Sequence, residues 1–263
     1  HLGAERIMER LPQVRELALS FEGVDMVTDP VPIRPSNHYM MGGIDVVDFR
    51  TCTTAVDGLH AAGECSCISV HGANRLGGNS VSEVVFFGRQ AGVGAADTAR
   101  RRELPAADRL EDLSRQWTER FDAVRGKKDG ESVFAIRDRM AEAMWNGVGI
   151  FRNETGMAAA EAVVDECMAA YADASIGDPS KIYNQAFMNY VELGNILQIA
   201  KAVCVGARAR KESRGSHSRE DFPQRDDERF LAHTLVSLAK DGSYSIDYRP
   251  VSVTKFPPEK RTY

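Results

Sequence analysis

The chain has 263 residues, 43% of them hydrophobic, and this content can bury a core in one or two domains. Its 33 basic and 38 acidic residues leave a formal net charge of −5, which does not favour nucleic acid or an acidic membrane surface as a partner. The sequence has no run of about 18 apolar residues and no charged-then-apolar leader, so it predicts neither a membrane span nor an export signal.

The first segment predicts one helix followed by an extended connector. Apolar residues recur at helical spacing between positions 4 and 20: Ile7, Leu11, Val14, Leu17 and Ala18. This spacing predicts one amphipathic helix, although Pro12 interrupts it. Three prolines between positions 30 and 35 then favour extended backbone, because proline fixes φ and restricts the residue before it.

Short strands and glycine turns are predicted next. We expect strands near 39–41, 44–47 and 59–62. Gly42 and Gly43 allow the backbone to pass close to a flat or bulky group, since a Cβ there would collide. Glu64 follows the third strand, and Asn79 opens a long apolar helix. A carboxylate at a strand end can accept from ribose hydroxyls while helical N–H groups face an anionic edge, so this order predicts a nucleotide cofactor.

Helical patterns run almost unbroken from residue 80 to about 209. We predict helices near 80–100, 106–124, 131–147, 155–173 and 181–209, separated by glycine-containing turns at 126–130, 146–149 and 177–179. Antiparallel helices joined by short loops predict a bundle. The last 50 residues predict a charged segment and then a hairpin, with strands near 233–238 and 244–248 around a turn at 240–242.

The cysteines predict a reducing compartment and no metal. Five are present, an odd number in a chain that is too long to need disulfide staples. Cys65 and Cys67 lack the two-residue spacer of zinc and redox pairs and have no second pair to complete a tetrahedron. We therefore expect free cytoplasmic thiols.

Several sequence blocks resemble one protein family. The blocks HYMMGGI, AAGEC, HGANRLGGNS and VFFGRQAG, followed by KESRGSHSREDFPQRDDERFLAHTL and PPEKRTY, are similar to the flavoprotein subunit of the succinate dehydrogenase and fumarate reductase family of respiratory complex II. The resemblance covers the C-terminal half of that subunit. Nothing in the chain matches the GxGxxG turn, the histidine that carries covalent FAD, or the arginine that supplies the substrate proton.

The resemblance implies an α+β multidomain fragment and a set of domain limits. Residues 1–36 would be the end of a capping domain with its connector, and 37–98 the C-terminal segment of an FAD-binding α/β domain. Residues 99–220 would form the antiparallel helical bundle, and 221–263 a small C-terminal α+β domain with the hairpin. Because His1 corresponds to an interior position of the family, we expect a companion N-terminal half and expect the fragment alone to be inactive.

The resemblance also implies site residues. Arg75, flanked by small residues, would bind one substrate carboxylate with its guanidinium fork, and His38 would donate to the other. His71 is equally consistent with a substrate-binding and a loop-stabilising role. Glu64 would contact the FAD ribose, while Asn79, Ser80 and Val81 would open a helix whose N–H groups face the flavin. The dense cluster Glu212, Arg214, His217 and Arg219 would be a charged interface near the FAD domain and the iron–sulfur partner.

The implied function is FAD-dependent interconversion of succinate and fumarate by hydride exchange with the flavin. Electrons would pass to an iron–sulfur subunit, with a membrane anchor subunit reached only indirectly. The protein would lie peripherally on the cytoplasmic side of the inner membrane or be soluble in the cytoplasm. Two alternatives stay open: an L-aspartate oxidase-like flavoenzyme, against which the tail blocks argue, and a non-catalytic helical interaction module.

Overall fold

The structure of the protein, a computed structural model, describes residues 2–259 and divides the chain into two compact units. The first unit ends at Asn37 and the second begins at His38. The last four residues of the PPEKRTY block, and His1, lie outside the described residues.

The first unit contains two short helices where one was predicted. Helix α1 spans Ala4–Arg10, α2 spans Pro12–Leu17, and a π-helical turn follows at Ala18–Glu22. Leu11 leaves the helical region, with φ −130° and ψ 39°. Pro12 is the cause, because its ring disfavours helical backbone at the preceding residue and it has no N–H to donate. The prediction of a single helix is therefore wrong at this point.

A small sheet opens the second unit. Strand β1 (Ile44–Asp48) pairs antiparallel with β2 (Thr53–Thr54) and parallel with β3 (Ser66–Cys67). The predicted strands at 39–41 and 59–62 do not form. Instead, the Met40 N–H donates to the Glu64 carboxylate, and the segment around His60 makes only one isolated bridge, to Thr53.

Gly43 is required where this sheet packs. Its φ is 139°, and a Cβ on it would lie 2.5 Å from the carbonyl oxygen of Cys65. The close approach predicted for this glycine turn is present, but it is an approach to the neighbouring strand of the sheet.

The helices agree closely with the predicted ones. They are α3 (Asn79–Arg101), α4 (Ala107–Gly126), α5 (Val133–Val148), α6 (Glu154–Ala172) and α7 (Gln185–Ala209). Ser132, Asn153 and Asn184 cap three of them, each accepting a backbone N–H of the first turn. The buried core lies between α5, α6 and α7, with Ile136, Met157, Val164, Leu193 and Leu197 at its centre. Helix α4 joins this core through Val124 and through the contact of its Phe121 ring with Phe187.

Gly147 lies inside α5 and not in a turn, contrary to the prediction. A Cβ there would lie 2.3 Å from the Gly156 carbonyl oxygen and 2.7 Å from the Ala160 Cβ, so helices α5 and α6 are nearly in backbone contact. We expect Gly147→Ala to lower the free energy of unfolding by about 1–3 kcal/mol, because the helices must separate. Urea unfolding measures this. Gly92→Ala, at an open position in α3, is the control, and an equal loss there would contradict the packing explanation.

The C-terminal segment forms two small sheets. Strand β4 (Phe151–Arg152) pairs in parallel with β5 (Ser218–Arg219), and after the short helix α8 (Asp227–Phe230) the strands β6 (Ala232–Leu238) and β7 (Tyr244–Pro250) form an antiparallel hairpin. The predicted hairpin is confirmed. Within residues 2–259, no helix is both long enough and apolar enough to cross a bilayer.

Candidate functional site

Three segments of the second unit meet at one buried carboxylate. Glu83, on the second turn of α3, is only 4% exposed. Its Oε2 accepts a hydrogen bond from the Tyr39 hydroxyl at 3.1 Å and another from His71 Nε2 at 2.7 Å. Tyr39 belongs to the HYMMGG segment and His71 to the HGANR loop. The carboxylate therefore joins both of these sequence blocks to the helix.

Arg75 lies against this junction. Its guanidinium carbon is 4.2 Å from the centroid of the Tyr39 ring, a cation–π arrangement. Arg75 Nε is buried and has no hydrogen-bond partner among the described residues. An unpartnered buried donor on a charged group is costly, so this N–H calls for an acceptor that the chain itself does not supply.

Tyr39 remains a hydrogen-bond donor over the physiological pH range. Burial raises the pKa of its phenol to about 12, and the hydrogen bond to Glu83 together with the negative charge of that carboxylate acts in the same direction. The charge of Arg75 opposes these effects only in part. Tyr39 thus keeps the proton that it donates to Glu83.

The two predicted substrate-binding residues, Arg75 and His38, lie in different environments. Arg75 lies at the junction, whereas His38 is exposed on the preceding segment, next to Tyr39 in the chain. His71, for which two roles were open, hydrogen-bonds Glu83 and packs edge-on to the Tyr39 ring with centroids 6.2 Å apart. These contacts hold the loop of His71 against α3 and the Tyr39 segment. Glu64 is exposed, and its Oε1 accepts from the Met40 N–H at 3.0 Å.

The start of α3 offers fewer free donors than expected. The Asn79 N–H donates to the Leu76 carbonyl at 3.2 Å, and the Val81 N–H to the Gly78 carbonyl at 3.2 Å. The partner of the Val81 N–H is therefore Gly78, the residue just before the helix, which lies in the left-handed region with φ 85°. The Ser80 N–H makes no backbone hydrogen bond within residues 2–259.

The loop before α3 has open space beside three of its glycines. A Cβ placed on Gly72, Gly77 or Gly78 would meet no atom of the described chain within 4 Å. Together with the unpartnered Nε of Arg75 and the Ser80 N–H, this open backbone fits a flat, anionic-edged cofactor such as a flavin. Within residues 2–259, no group of three or more His, Cys, Asp or Glu side chains could hold a metal ion.

A turn at Gly215 and Ser216, from the C-terminal segment, packs against the loop that carries Arg75. Both the N–H and the hydroxyl of Ser216 donate to the Ala73 carbonyl, each at 3.0 Å. A Cβ on Gly215 would lie 2.4 Å from that same oxygen. The β6–β7 hairpin adds two further contacts. His233 and Ser69 share a hydrogen bond at 2.9 Å, and Arg249 forms an ion pair with Asp45 of β1. Residues near the end of the chain therefore fix the loop that carries Arg75.

The supporting turn is part of a buried ionic cluster. Glu212 is 0% exposed and accepts from Arg210, Arg214 and the Asp226 N–H at 2.8–2.9 Å. Burial raises the pKa of Glu212, but the hydrogen bonds from these three partners outweigh it and hold the pKa below its ordinary value. Arg219 is also fully buried and makes a two-bond contact with Asp221, at 2.7 and 2.6 Å. The predicted charged cluster thus packs inside the unit.

His217 at the centre of this cluster is neutral. Its pKa is lowered from 6.5 to about 4, chiefly by burial; the charges of Arg152, Arg210 and Arg219 act in the same direction, and the hydrogen bond to the Arg210 carbonyl opposes them. Nδ1 accepts from Arg152 at 2.9 Å, and Nε2 donates to the Arg210 carbonyl at 3.0 Å. This ring is therefore held as the Nε2–H tautomer.

The half-buried His217 predicts an acid-sensitive fold. Because the pKa is depressed in the folded state, the stabilisation is complete above pH 6.5 and is lost as the pH falls from 6.5 toward 4. We expect urea unfolding midpoints to decline over that range and expect His217→Gln to flatten the decline while lowering stability at pH 7.5. An unchanged pH slope in the variant would assign the acid sensitivity to other groups.

Sequence reasoning missed Tyr39, Glu83 and Ser216 as members of the site. The available signal for Glu83 was an acidic residue within the apolar helix run VSEVVFF, where a buried carboxylate needs partners. The apolar and aromatic run around Tyr39 predicts a strand, and no strand forms there. No local pattern indicates that Ser216 reaches Ala73, since 143 residues separate them.

The chain is similar to known proteins over its whole length. Residues 137–263 match the family model described as the fumarate reductase flavoprotein C-terminus, and residues 1–81 match the FAD binding domain. The 8-methylmenaquinol:fumarate reductase flavoprotein subunit of Wolinella succinogenes is 45% identical, over 100% of this chain and 43% of the relative. The fumarate reductase flavoprotein subunit of Escherichia coli is 40% identical, over 100% of this chain and 44% of the relative.

Solved structures give the same result. The FrdA chain of an E. coli quinol fumarate reductase variant superposes with a TM-score of 0.92 at 39% identity, covering 99% of this chain and 44% of that chain. Sdh1 of Mycobacterium smegmatis, solved with UQ1, superposes with a TM-score of 0.79 at 32% identity, covering 95% of this chain and 42% of that chain. The chain therefore spans less than half the length of the relatives that it matches.

Proposed function

This chain belongs to the flavoprotein subunit family of succinate dehydrogenases and fumarate reductases, and from that premise we propose that it supplies the dicarboxylate-binding side of an enzyme that interconverts succinate and fumarate with FAD. The observation that carries the proposal is Arg75, whose buried Nε has no partner among the described residues and whose guanidinium carbon lies 4.2 Å from the centroid of the Tyr39 ring. A carboxylate is the acceptor that a guanidinium fork matches best.

Each proposed residue has a distinct task. Arg75 binds and orients one carboxylate of the dicarboxylate, and His38, exposed on the adjoining segment, donates to the other. Glu64 accepts from the FAD ribose, and the Asn79–Val81 turn, chiefly through the Ser80 N–H, faces the flavin ring. When bound, FAD supplies hydride exchange with the carbon skeleton of the dicarboxylate. The protein groups hold both carboxylates, so the double bond is polarised and positioned before the exchange.

The proposed partners follow from the relatives. The Wolinella relative is named as the flavoprotein subunit of an 8-methylmenaquinol:fumarate reductase, which supports electron exchange with a quinone through other subunits. We propose an iron–sulfur subunit as the direct electron partner and a membrane anchor subunit as an indirect one. The flavoprotein would then lie peripherally on the cytoplasmic side of the membrane.

The test uses the complete flavoprotein that contains this sequence, purified with its partner subunits. We expect a yellow protein that reduces a dye with succinate and oxidises a reduced dye with fumarate, both inhibited by malonate. L-Aspartate with oxygen serves as the comparison substrate. Turnover of aspartate without turnover of succinate would replace this function by that of an L-aspartate oxidase, and a protein without flavin would exclude both.

The start of α3 gives a prediction about the bound flavin. Ser80→Pro removes the N–H that is free of backbone partners, at a helix position where proline is tolerated. A helix N-terminus favours negative charge by about 0.3–2 kcal/mol, and the reduced flavin carries the negative charge. Weakening this stabilisation should therefore lower the two-electron reduction potential of the bound flavin by about 10–40 mV. Spectroelectrochemistry measures the potential, and Ser82→Ala is the control. An unchanged potential with full FAD content would show that the charge stabilisation comes from elsewhere.

A further inference from the structure

Glu83 has no task in the function proposed above, although its carboxylate is the most deeply buried acidic group near Arg75. It is 4% exposed, and a single oxygen, Oε2, accepts both of its hydrogen bonds, from Tyr39 and from His71. A buried carboxylate costs free energy unless its partners are held, so this group is expected to hold those partners in fixed positions.

The position of Glu83 links three segments that the proposed function uses. Tyr39 follows His38 directly, His71 lies four residues before Arg75, and Ser80 lies three residues before Glu83 on α3. One oxygen atom therefore fixes the segment of His38, the loop of Arg75 and the helix that faces the flavin with respect to one another. Among the described residues, no other side chain accepts hydrogen bonds from both the Tyr39 segment and the His71–Arg75 loop.

The ring of Tyr39 transmits this constraint to Arg75. The guanidinium rests 4.2 Å from the ring centroid, and its Nε has no hydrogen-bond partner in the described chain. The ring plane is in turn fixed by the hydroxyl bond to Glu83 and by the edge of His71 at an interplanar angle of 87°. The direction of the guanidinium fork thus depends on a ring that Glu83 orients.

A carboxylate suits this task better than an amide would. It accepts only, so both Tyr39 and His71 must point their hydrogens at it, and its charge shortens and strengthens the bonds, as the 2.7 Å contact to His71 indicates. A glutamine of the same shape has an NH₂ group that can take the place of the accepting oxygen, so it would leave the Tyr39 hydroxyl free to turn.

We propose that Glu83 is a positioning residue for dicarboxylate binding: its carboxylate orients Tyr39 and His71 so that Arg75 presents its fork to the substrate. This inference rests on the proposed function. It assigns Glu83 no contact with substrate or flavin. Its effect is on the affinity for dicarboxylates, with FAD binding left intact.

The experiment compares variants in the complete flavoprotein with its partner subunits, using malonate as a dicarboxylate that does not react. Glu83→Gln removes the charge and keeps the shape, and Tyr39→Phe removes the hydroxyl and keeps the ring under Arg75. Glu161→Gln is the control: Glu161 of α6 is a largely buried carboxylate, 15% exposed in its side chain, that binds Lys201 and Arg208 far along the chain from Arg75. The measurements are the malonate Kd from the flavin absorbance change, KM and kcat for succinate, FAD content and the unfolding midpoint.

We expect Glu83→Gln to raise the malonate Kd and the succinate KM by about tenfold, with FAD content unchanged and kcat reduced less than KM is raised. Tyr39→Phe should raise the malonate Kd and the succinate KM by about threefold. The double variant should bind malonate no more weakly than Glu83→Gln, because both substitutions break the same hydrogen bond between Tyr39 and Glu83. Glu161→Gln should lower the unfolding midpoint without changing either constant.

Two results would overturn the inference. One is a Glu83→Gln variant that binds malonate as the unsubstituted protein does while its unfolding midpoint falls like that of Glu161→Gln, since Glu83 would then be purely structural. The other, decisive if Glu83→Gln fails to fold, is an unchanged Kd in Tyr39→Phe. Failure of the unsubstituted protein to bind malonate or turn over succinate would instead overturn the proposed function, and the positioning role with it.

Discussion

Arg75→Gln is expected to lower kcat/KM for succinate by about two to three orders of magnitude, because truncating one partner of a desolvated charge pair costs about 2–5 kcal/mol. The structure supports a loss of this size, since Arg75 Nε is buried and only an added acceptor can satisfy it. FAD should remain bound. His38→Ala should act in the same direction by about tenfold, because an exposed imidazole donor contributes less than a guanidinium pair.

The measurement is steady-state kinetics with succinate and fumarate, together with FAD content and malonate binding. Arg120→Gln is the matched control, since Arg120 also lies over an aromatic ring, that of Trp117 on α4, with 5.1 Å to the centroid. Loss of a surface cation–π contact should leave the kinetics unchanged. Near-normal succinate kinetics in Arg75→Gln would remove Arg75 from the site and with it the main support for the proposed function.

Glu212→Gln is expected to lower the free energy of unfolding by about 3–5 kcal/mol, the cost of removing one partner from a buried ion pair. Glu212 is fully buried between Arg210 and Arg214, whose side chains are only 15% and 14% exposed, so water compensates little for its loss. Arg210 also donates to the Ala232 and Phe230 carbonyls and to Thr234 Oγ1, so its displacement would loosen the start of the β6–β7 hairpin.

Urea unfolding at pH 7.5 measures this loss, with Asp227→Asn as the control. Asp227 also binds Arg214 but is 39% exposed in its side chain, so its loss should cost less than about 1 kcal/mol. Because the Glu212 cluster supports Ser216 and the Arg75 loop, a raised malonate Kd should accompany the lost stability. A Glu212 variant as stable as the unsubstituted protein would show that the two arginines find other partners.

Local sequence patterns were sufficient to predict the elements with strong periodicity. Helices α3 to α7 and the β6–β7 hairpin agree with their predicted positions within a few residues, and the family resemblance is confirmed by the matching models and relatives. The hydrophobic periodicity of a helix or strand depends only on residues that are close in the sequence, so it predicts these elements without knowledge of the tertiary structure. The single N-terminal helix failed for an equally local reason, since Pro12 determined the backbone of Leu11.

The sequence by itself determined which residues carry the family motifs, among them Arg75, His38 and Glu64, but their arrangement depended on contacts far apart in the chain. The bond from Tyr39 to Glu83 joins residues 44 apart, and the bond from Ser216 to Ala73 joins residues 143 apart. Tertiary packing alone brought the Glu83 carboxylate to the hydroxyl of the ring that supports Arg75 and placed Gly147 at a contact between two helices. The physical reason is that burial, which makes an unpaired polar group costly, is a property of the folded chain and not of any local segment.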